Sequence, residues 1–274
     1  MRGNDSGQWV PNGLDTWVPN GARIYDYILG GKENYDADRV AADRMLEQNP
    51  QAPRTAQANR AFLGRTVRFL AAEAGIRQFI DIGAGLPTQR NVHEVAQETL
   101  PEARVVYVDH DPVVTLHSRA LLQRQNTLNV GVAQADLRSP ELVLNHPLVE
   151  ELIDFEQPVA VLMVAILHFV SEEEDPLGVV ERVMDALPSG SHLVISHTVD
   201  ESPREVMEVA RKGFRLAGAM LTPRTREEVS RFFQGLDLVE PGVVDVWRWR
   251  PGQVEAEPPA QAAWTMVGGV GRKP

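Results

Sequence analysis

The residues with chemical potential lie where apolar stretches give way to helix-like ones. FIDIGAGLPT, Phe79 to Thr88, is the first such junction. Gly83 and Gly85 remove two Cβ atoms where backbone would approach a ligand at the carboxyl end of a strand. A dinucleotide fingerprint asks for a third small residue at position 88, and Thr88 stands there behind Pro87. Asp81, two residues before the first glycine, suits a cationic ligand or an ammonium group and would repel a pyrophosphate. Asp109 ends a second apolar stretch, 24 residues after Gly85, where a carboxylate can accept both hydroxyls of a ribose. Asp136 follows a third stretch in AQADLR and could accept from the exocyclic amine of an adenine. Each aspartate alone fits a helix N-cap equally well. Together with the glycines, they point to a nucleoside carrying positive charge.

These residues need a scaffold, and the patterning supplies one. Gln78 to Ile82, Arg104 to Val108, Val130 to Gln134, Val159 to Leu167 and His192 to His197 read as strands. Helices are expected over Thr88 to Leu100, Val113 to Gln125, Ser171 to Leu187 and Pro203 to Ala217. This alternation predicts an α/β fold with a doubly wound, mostly parallel sheet. The tail departs from it, with a helix over Thr222 to Gln234 and strands over Leu236 to Trp249 and Trp264 to Val270. Those closing strands predict an antiparallel pair at one edge. Upstream, helices are expected over Ala22 to Leu29, stopped by Gly30-Gly31, over Asp36 to Gln48, and over Arg54 to Ala74. In the last of these Leu63, Val67, Leu70 and Ala74 form one apolar stripe. The first 20 residues carry WVPNG twice, at Trp9 to Gly13 and Trp17 to Gly21. They read as an irregular arm, either a loose tail or a strap packing its indoles on a neighbour. The expected division is an arm over 1–21, a helical lid or extension over 22–74 and a catalytic domain over 75–274.

Composition removes several classes. The chain has 274 residues and no cysteine, which excludes disulfides, iron–sulfur clusters, thiolate zinc sites and cysteine nucleophiles. His93-Glu94 opens a zinc-protease motif, but Gln97 occupies the place of its second histidine, and no metal site is expected. Gly30-Gly31-Lys32 is followed by Glu33, so it is not a phosphate loop. A net charge of −11 argues against a nucleic-acid partner. The apolar run Val159 to Leu167 is too short to span a membrane, and the polar N-terminus has no signal-peptide core. A cytoplasmic location and no membrane partner are expected.

Phe79–Gly85, Val105–Pro112 and Ala135-Asp136 resemble motifs of the class I S-adenosylmethionine (SAM) methyltransferases. ARIYDYILGGKENYDADR, NRAFLGRTVRFL and NVHEVAQ resemble one narrower branch, the actinobacterial S-adenosyl methyltransferase family, from about Pro19 to the C-terminus. The resemblance implies a Rossmann-like sheet of seven strands with the last antiparallel, and SAM as cofactor. It implies Asp81, Gly83 and Gly85 near the methionine moiety, Asp109 on the ribose and Asp136 near the adenine. His110 would flank the adenine, and Leu137 and Ala165 complete the expected cofactor contacts. The segment Ala22 to Arg39 is either a helical pair packed on the sheet or a lid. As a lid, Arg23, Tyr25, Tyr27, Asn34 and Tyr35 would supply a carboxylate partner, aromatic walls and polar contacts to the cofactor. His168, closing the central strand, is the candidate general base, unless it is simply a packed histidine. The expected activity is methyl transfer to a nitrogen or oxygen of a small-molecule acceptor. A catalytically silent SAM-binding regulator is the alternative, and Thr88, Asp81 and Asp136 disfavour a nicotinamide-dependent oxidoreductase.

Overall fold

The computed structural model describes residues 16–87, 90–125, 127–201, 204–216, 220–252 and 265–274. The first WVPNG copy, Thr88 and Trp264 lie outside these residues. Helices α1 (Gly21–Ile28), α2 (Asp36–Gln48) and α3 (Ala52–Ala72) come first. The alternating portion runs β1 (Gln78–Ile82), α4 (Val92–Thr99), β2 (Arg104–Asp109), α5 (Pro112–Gln125) and β3 (Val130–Gln134). It continues through α6 (Pro140–Leu144), α7 (Pro147–Leu152), β4 (Ala160–Val164), α8 (Pro176–Asp185), β5 (His192–Thr198) and α9 (Arg204–Leu216). Last come α10 (Arg226–Arg231), β6 (Asp237–Leu238), β7 (Val244–Asp245) and β8 (Met266–Arg272).

The sheet order is β3-β2-β1-β4-β5-β8-β6, with β7 also paired to β8. Strands β1 to β5 pair with one another in parallel, and β8 runs antiparallel to β5 along its full length. The order reverses between β1 and β4, so a crevice opens beyond their carboxyl ends, the usual ligand position in such sheets. Among the described residues the sheet has eight strands rather than the expected seven. Leu236 to Trp249 does not form one strand: Pro241, which lacks an N–H, and Gly242, at φ +84°, divide it into the two short strands β6 and β7. The helix expected over Thr222 to Gln234 shortens to α10, because its N-cap is Thr225, bonded reciprocally with Glu228. Val159 to Leu167 also breaks early, β4 stopping at Val164.

Side-chain alternation divides the core between the faces of the sheet. Phe79, Val105, Leu162 and Val194 meet Phe62, Leu63, Val67 and Leu70 of α3 and Val92 and Val95 of α4. Ile80, Val106, Val161, Met163 and Ile195 face the helices of the opposite side, including Val179, Val180 and Val183 of α8. Covering both faces explains why β4 reads as an unbroken apolar run. A third cluster joins Ile24 and Ile28 of α1, Ala42 and Met45 of α2, Ala56 of α3 and Met207, Ala210 and Phe214 of α9. It sets α1 and α2 against α9, above the carboxyl ends of the strands.

Candidate active site

At the end of β1 the chain must turn sharply under β2. Gly83, at φ +74°, donates its N–H to Val108 O at 2.8 Å. A Cβ there would sit 2.5 Å from Ile166 Cγ1, so both backbone angle and space demand glycine. Gly85, at φ +66°, donates its N–H to Asp109 Oδ2 at 2.9 Å, and a Cβ there would meet only open space. Asp109 Oδ1 accepts the N–H of Asp111 at 3.0 Å. The two loops thereby hold the Asp109 carboxylate at the edge of a cavity of about 570 Å³.

Asp81, Gly83, Gly85, Asp109, His110, Asp136, Leu137 and Ala165 all line this cavity. Asp81 is 5% exposed, and burial raises its carboxyl pKa to about 7; the Asp109 charge adds to the rise and the Arg60 guanidinium opposes it. A cationic group brought beside it would restore the ionised form. His110 Nδ1 lies 3.5 Å from Asp109 Oδ1, and that interaction raises the imidazole pKa. Asp136 is clasped by Arg138, whose Nε donates to Oδ1 at 2.9 Å, and this holds the Asp136 carboxyl below its usual range. The other arm of Arg138 reaches Glu174 Oε1 at 3.0 Å. Ala165 directly follows β4 with φ +58°, an unfavourable angle for a residue with a Cβ. It is held there because its N–H donates to both Ser196 O and Ser196 Oγ, at 3.1 and 3.0 Å.

The lid residues divide. Tyr25 lines the cavity, its hydroxyl donating to Ala56 O and accepting from Asn59 Nδ2, both at 3.3 Å. Arg23, Tyr27, Asn34 and Tyr35 do not line it, because each is engaged within the N-terminal segment. Arg23 Nε donates to the fully buried Asp38 at 2.8 Å, and its guanidinium lies over the Tyr35 ring. Breaking such a pair costs about 3–5 kcal/mol, more than one ligand contact returns. Tyr35 donates its N–H to Asp38 at the start of α2, and the Tyr27 hydroxyl reaches Asp43. Asn34 Nδ2 donates to Asp26 Oδ2 at 2.9 Å. Asp26 also accepts the N–H of Glu33, and its carboxylate fills the space where Gly31 has no Cβ. ILGGKENYDADR is thus a knot tied on Asp26 and Asp38. His117 of α5, 3.1 Å from Glu33, ties that knot to the sheet layer.

His168 lines the cavity with its ring buried. Its Nδ1 accepts the N–H of Thr198 at 3.4 Å, so the proton of the neutral ring sits on Nε2. Burial first, then the neighbouring His197 and Arg224, push its pKa well below the ordinary histidine value. A proton can be accepted at Nε2 only after a change of tautomer. Arg224 anchors the loop that carries this histidine, donating to Leu167 O at 3.0 Å and Val170 O at 2.9 Å.

Sequence reasoning missed Arg60, Arg138 and Asn20. Arg60 lines the cavity from α3, where it reads as one more surface charge on an amphipathic helix. Arg138 carried a signal in its spacing, two residues beyond Asp136. Asn20, in the second WVPNG copy, caps α1 by accepting from Ala22 and Arg23, and its Nδ2 donates to Asp111.

A parallel sheet reversing between β1 and β4, with carboxylates at the ends of β1, β2 and β3 around a cavity, defines the SAM-dependent methyltransferase class. The chain belongs to the S-adenosyl methyltransferase family Methyltransf_19, whose model matches residues 7–274, and its cofactor is SAM. No functionally curated relative matches. A protein of Thermobifida fusca YX, assigned provisionally as a methyltransferase, is 45% identical; the match covers 97% of this chain and 98% of that one, with a TM-score of 0.88. A DUF574 family protein of Streptomyces avermitilis MA-4680 is 43% identical over 95% of this chain and 99% of its own, with a TM-score of 0.90. An O-methyltransferase family 2 protein of Planctomyces limnophilus DSM 3776 shares the fold at 14% identity and a TM-score of 0.51, over 87% of this chain and 66% of its own. Among the described residues no helix is long and apolar enough to cross a membrane.

Proposed function

We propose that the chain transfers the methyl group of SAM to a nitrogen or oxygen atom of a small molecule held in the same cavity. The observation that carries this reading is the continuity of one cavity from Asp109 and Asp136, past Ala165, to Ile24, Ile28 and Phe214 beneath the helical cover. When bound, SAM supplies a methyl group activated by a positively charged sulfonium. In this reading ionised Asp81 accepts from the ammonium of the methionine moiety, and Arg60 rather than Arg23 receives its carboxylate. Asp109 accepts the ribose hydroxyls. Asp136, already clasped by Arg138, uses a remaining lone pair for the adenine amine. Helix α1 covers the site and excludes water, so alignment provides most of the rate. His168 donates from Nε2 and orients the acceptor instead of removing its proton, which the methylated acceptor loses to solvent as the sulfonium charge is neutralised. A net charge of −11 favours a small acceptor over a nucleic acid.

Isothermal titration with S-adenosylhomocysteine (SAH), with NADH as comparator, tests the cofactor side. Micromolar SAH affinity and silence with NADH are expected. Asp109→Ala should cost about 1.5 kcal/mol or more, as loss of charge-assisted hydrogen bonds requires. Unchanged affinity in a folded Asp109→Ala variant removes the ribose assignment. Isotope transfer from labelled SAM to candidate acceptors then separates catalysis from regulatory binding.

A further inference from the structure

Polar side chains of three elements join end to end along the cavity wall. Ser196 of β5 is wholly buried and does not line the cavity. Its Oγ accepts the N–H of Ala165 at 3.0 Å and donates to Oδ1 of Asn59, on α3, at 2.6 Å. Asn59, 2% exposed, turns its Nδ2 the other way and donates to the hydroxyl of Tyr25, on α1, at 3.3 Å. Tyr25 donates in turn to Ala56 O at 3.3 Å. Every bond in this series, from the Ala165 N–H to the Ala56 carbonyl, is therefore polarised in one direction, so each strengthens the next. Its ends are two parts of the site that must meet. One is the left-handed turn that leads from Ala165 to His168, and the other is the cover helix α1. Ala165, Asn59 and Tyr25 all line the cavity.

From this we infer that Asn59 is a positioning residue, which locks the seating of α1 over the cavity to the backbone of the Ala165 turn. The cover and the turn carrying His168 then set together. The inference rests on the methyl-transfer reading for its purpose and on the hydrogen-bond geometry for its substance. Packing alone does not call for an amide here. Ala56 and Leu63, one helical turn to either side on α3, are buried and apolar. A buried amide is costly unless both of its ends are paired, and this one is paired to two different elements. Ile24 and Ile28 also bind α1 to an apolar cluster, but apolar contact is non-directional and leaves the helix free to rotate. The bond from Asn59 supplies the missing direction. The amide is planar and turns as one unit, so losing the partner of Oδ1 also loosens Nδ2 from Tyr25. Ala165 keeps a second bond to Ser196 O at 3.1 Å. Removing the Ser196 hydroxyl therefore cuts the series and leaves that backbone bond in place.

The test is hydrogen exchange on the full chain, with SAH affinity measured beside it. Ser196→Ala should quicken exchange of the α1 amides at least fivefold in the free chain, while β2 amides stay within twofold. It should also raise the SAH Kd at least threefold, although Ser196 lies outside the cavity. Tyr25→Phe cuts the series at its other end and should quicken α1 to a similar extent. In the double variant Ser196→Ala should add less than 1.5-fold, because its route to α1 is already broken. If Ser196→Ala fails to fold, Tyr25→Phe is read at the far end, where the Ala165 amide should exchange at least threefold faster. Multiplicative effects in the double variant, or equal acceleration of α1 and β2, reduce the series to packing and overturn the inference. Wild-type exchange in α1 or unchanged SAH affinity in Ser196→Ala does the same, as does an unaltered Ala165 amide in Tyr25→Phe. Absence of SAH binding by the wild-type chain overturns the cofactor reading, whereas exchange in the free chain still decides this inference.

Discussion

Replacing Asp81 by Asn should stabilise the free protein at alkaline pH while damaging cofactor binding. The carboxyl is buried on β1, and its pKa stands at about 7 against an ordinary 3.8. Between those values the folded protein holds a proton that the unfolded chain releases. Stability therefore falls as pH rises through this window, and the loss is complete above about pH 7. At about 1.4 kcal/mol per tenfold change in proton affinity, the full penalty approaches about 4 kcal/mol. It amounts to roughly 1.5 kcal/mol at pH 5. Asn has nearly the same shape and no charge to desolvate. Its advantage over the wild type should thus grow by about 3 kcal/mol from pH 5 to pH 8, or roughly 6 °C in Tm for a chain of this size. Thermal melts of both proteins at the two pH values measure it. An ammonium-bearing ligand needs the ionised carboxylate, so wild-type SAH affinity should rise with pH up to about 7 and then level off. The variant should bind weakly and without that dependence. A Tm difference that is equal at pH 5 and pH 8 refutes the buried-proton account. If SAH binding by the variant matches wild type, Asp81 is not the ammonium partner.

Gly83→Ala forces a Cβ into Ile166 at positive φ and should cost about 1–3 kcal/mol, with weaker SAH binding. An unchanged urea midpoint would mean that the turn relaxes freely. Asn20→Ala removes the α1 cap and the link to Asp111, costing about 1 kcal/mol. Hydrogen exchange should quicken in the α1 amides far more than in β1 or β4, and SAH should dissociate faster. Uniform protection across the variant would show that Asn20 does not anchor the cover.

The order of elements was legible because alternation and helical periodicity are local properties, and Asp36 to Gln48 matches α2 residue for residue. Boundaries failed where tertiary contacts end an element. Val159 to Leu167 has nothing in its composition to stop a strand at Val164. The stop comes from Ser196 holding the N–H of Ala165, while Ile166 packs over Gly83. The N-terminal signature shows the same limit. Arg23, Tyr27, Asn34 and Tyr35 have the residue types of a binding wall, but their partners Asp38, Asp43 and Asp26 engage them within the N-terminal segment. Arg60 passed unnoticed for the converse reason, since one-dimensional spacing does not show which surface charge faces a crevice.

The sequence by itself determined the doubly wound sheet, the glycine turn and the carboxylates at the ends of β1, β2 and β3, because each depends on residues near one another in the chain. The tertiary structure alone decided which side chains share the cavity, the proton held on Asp81, the tautomer of His168 and the apolar cluster around Phe214. These depend on burial and on partners far apart in sequence, such as Thr198 against His168 and Arg60 against Asp81. Desolvation and distance act only once the chain has brought such groups together.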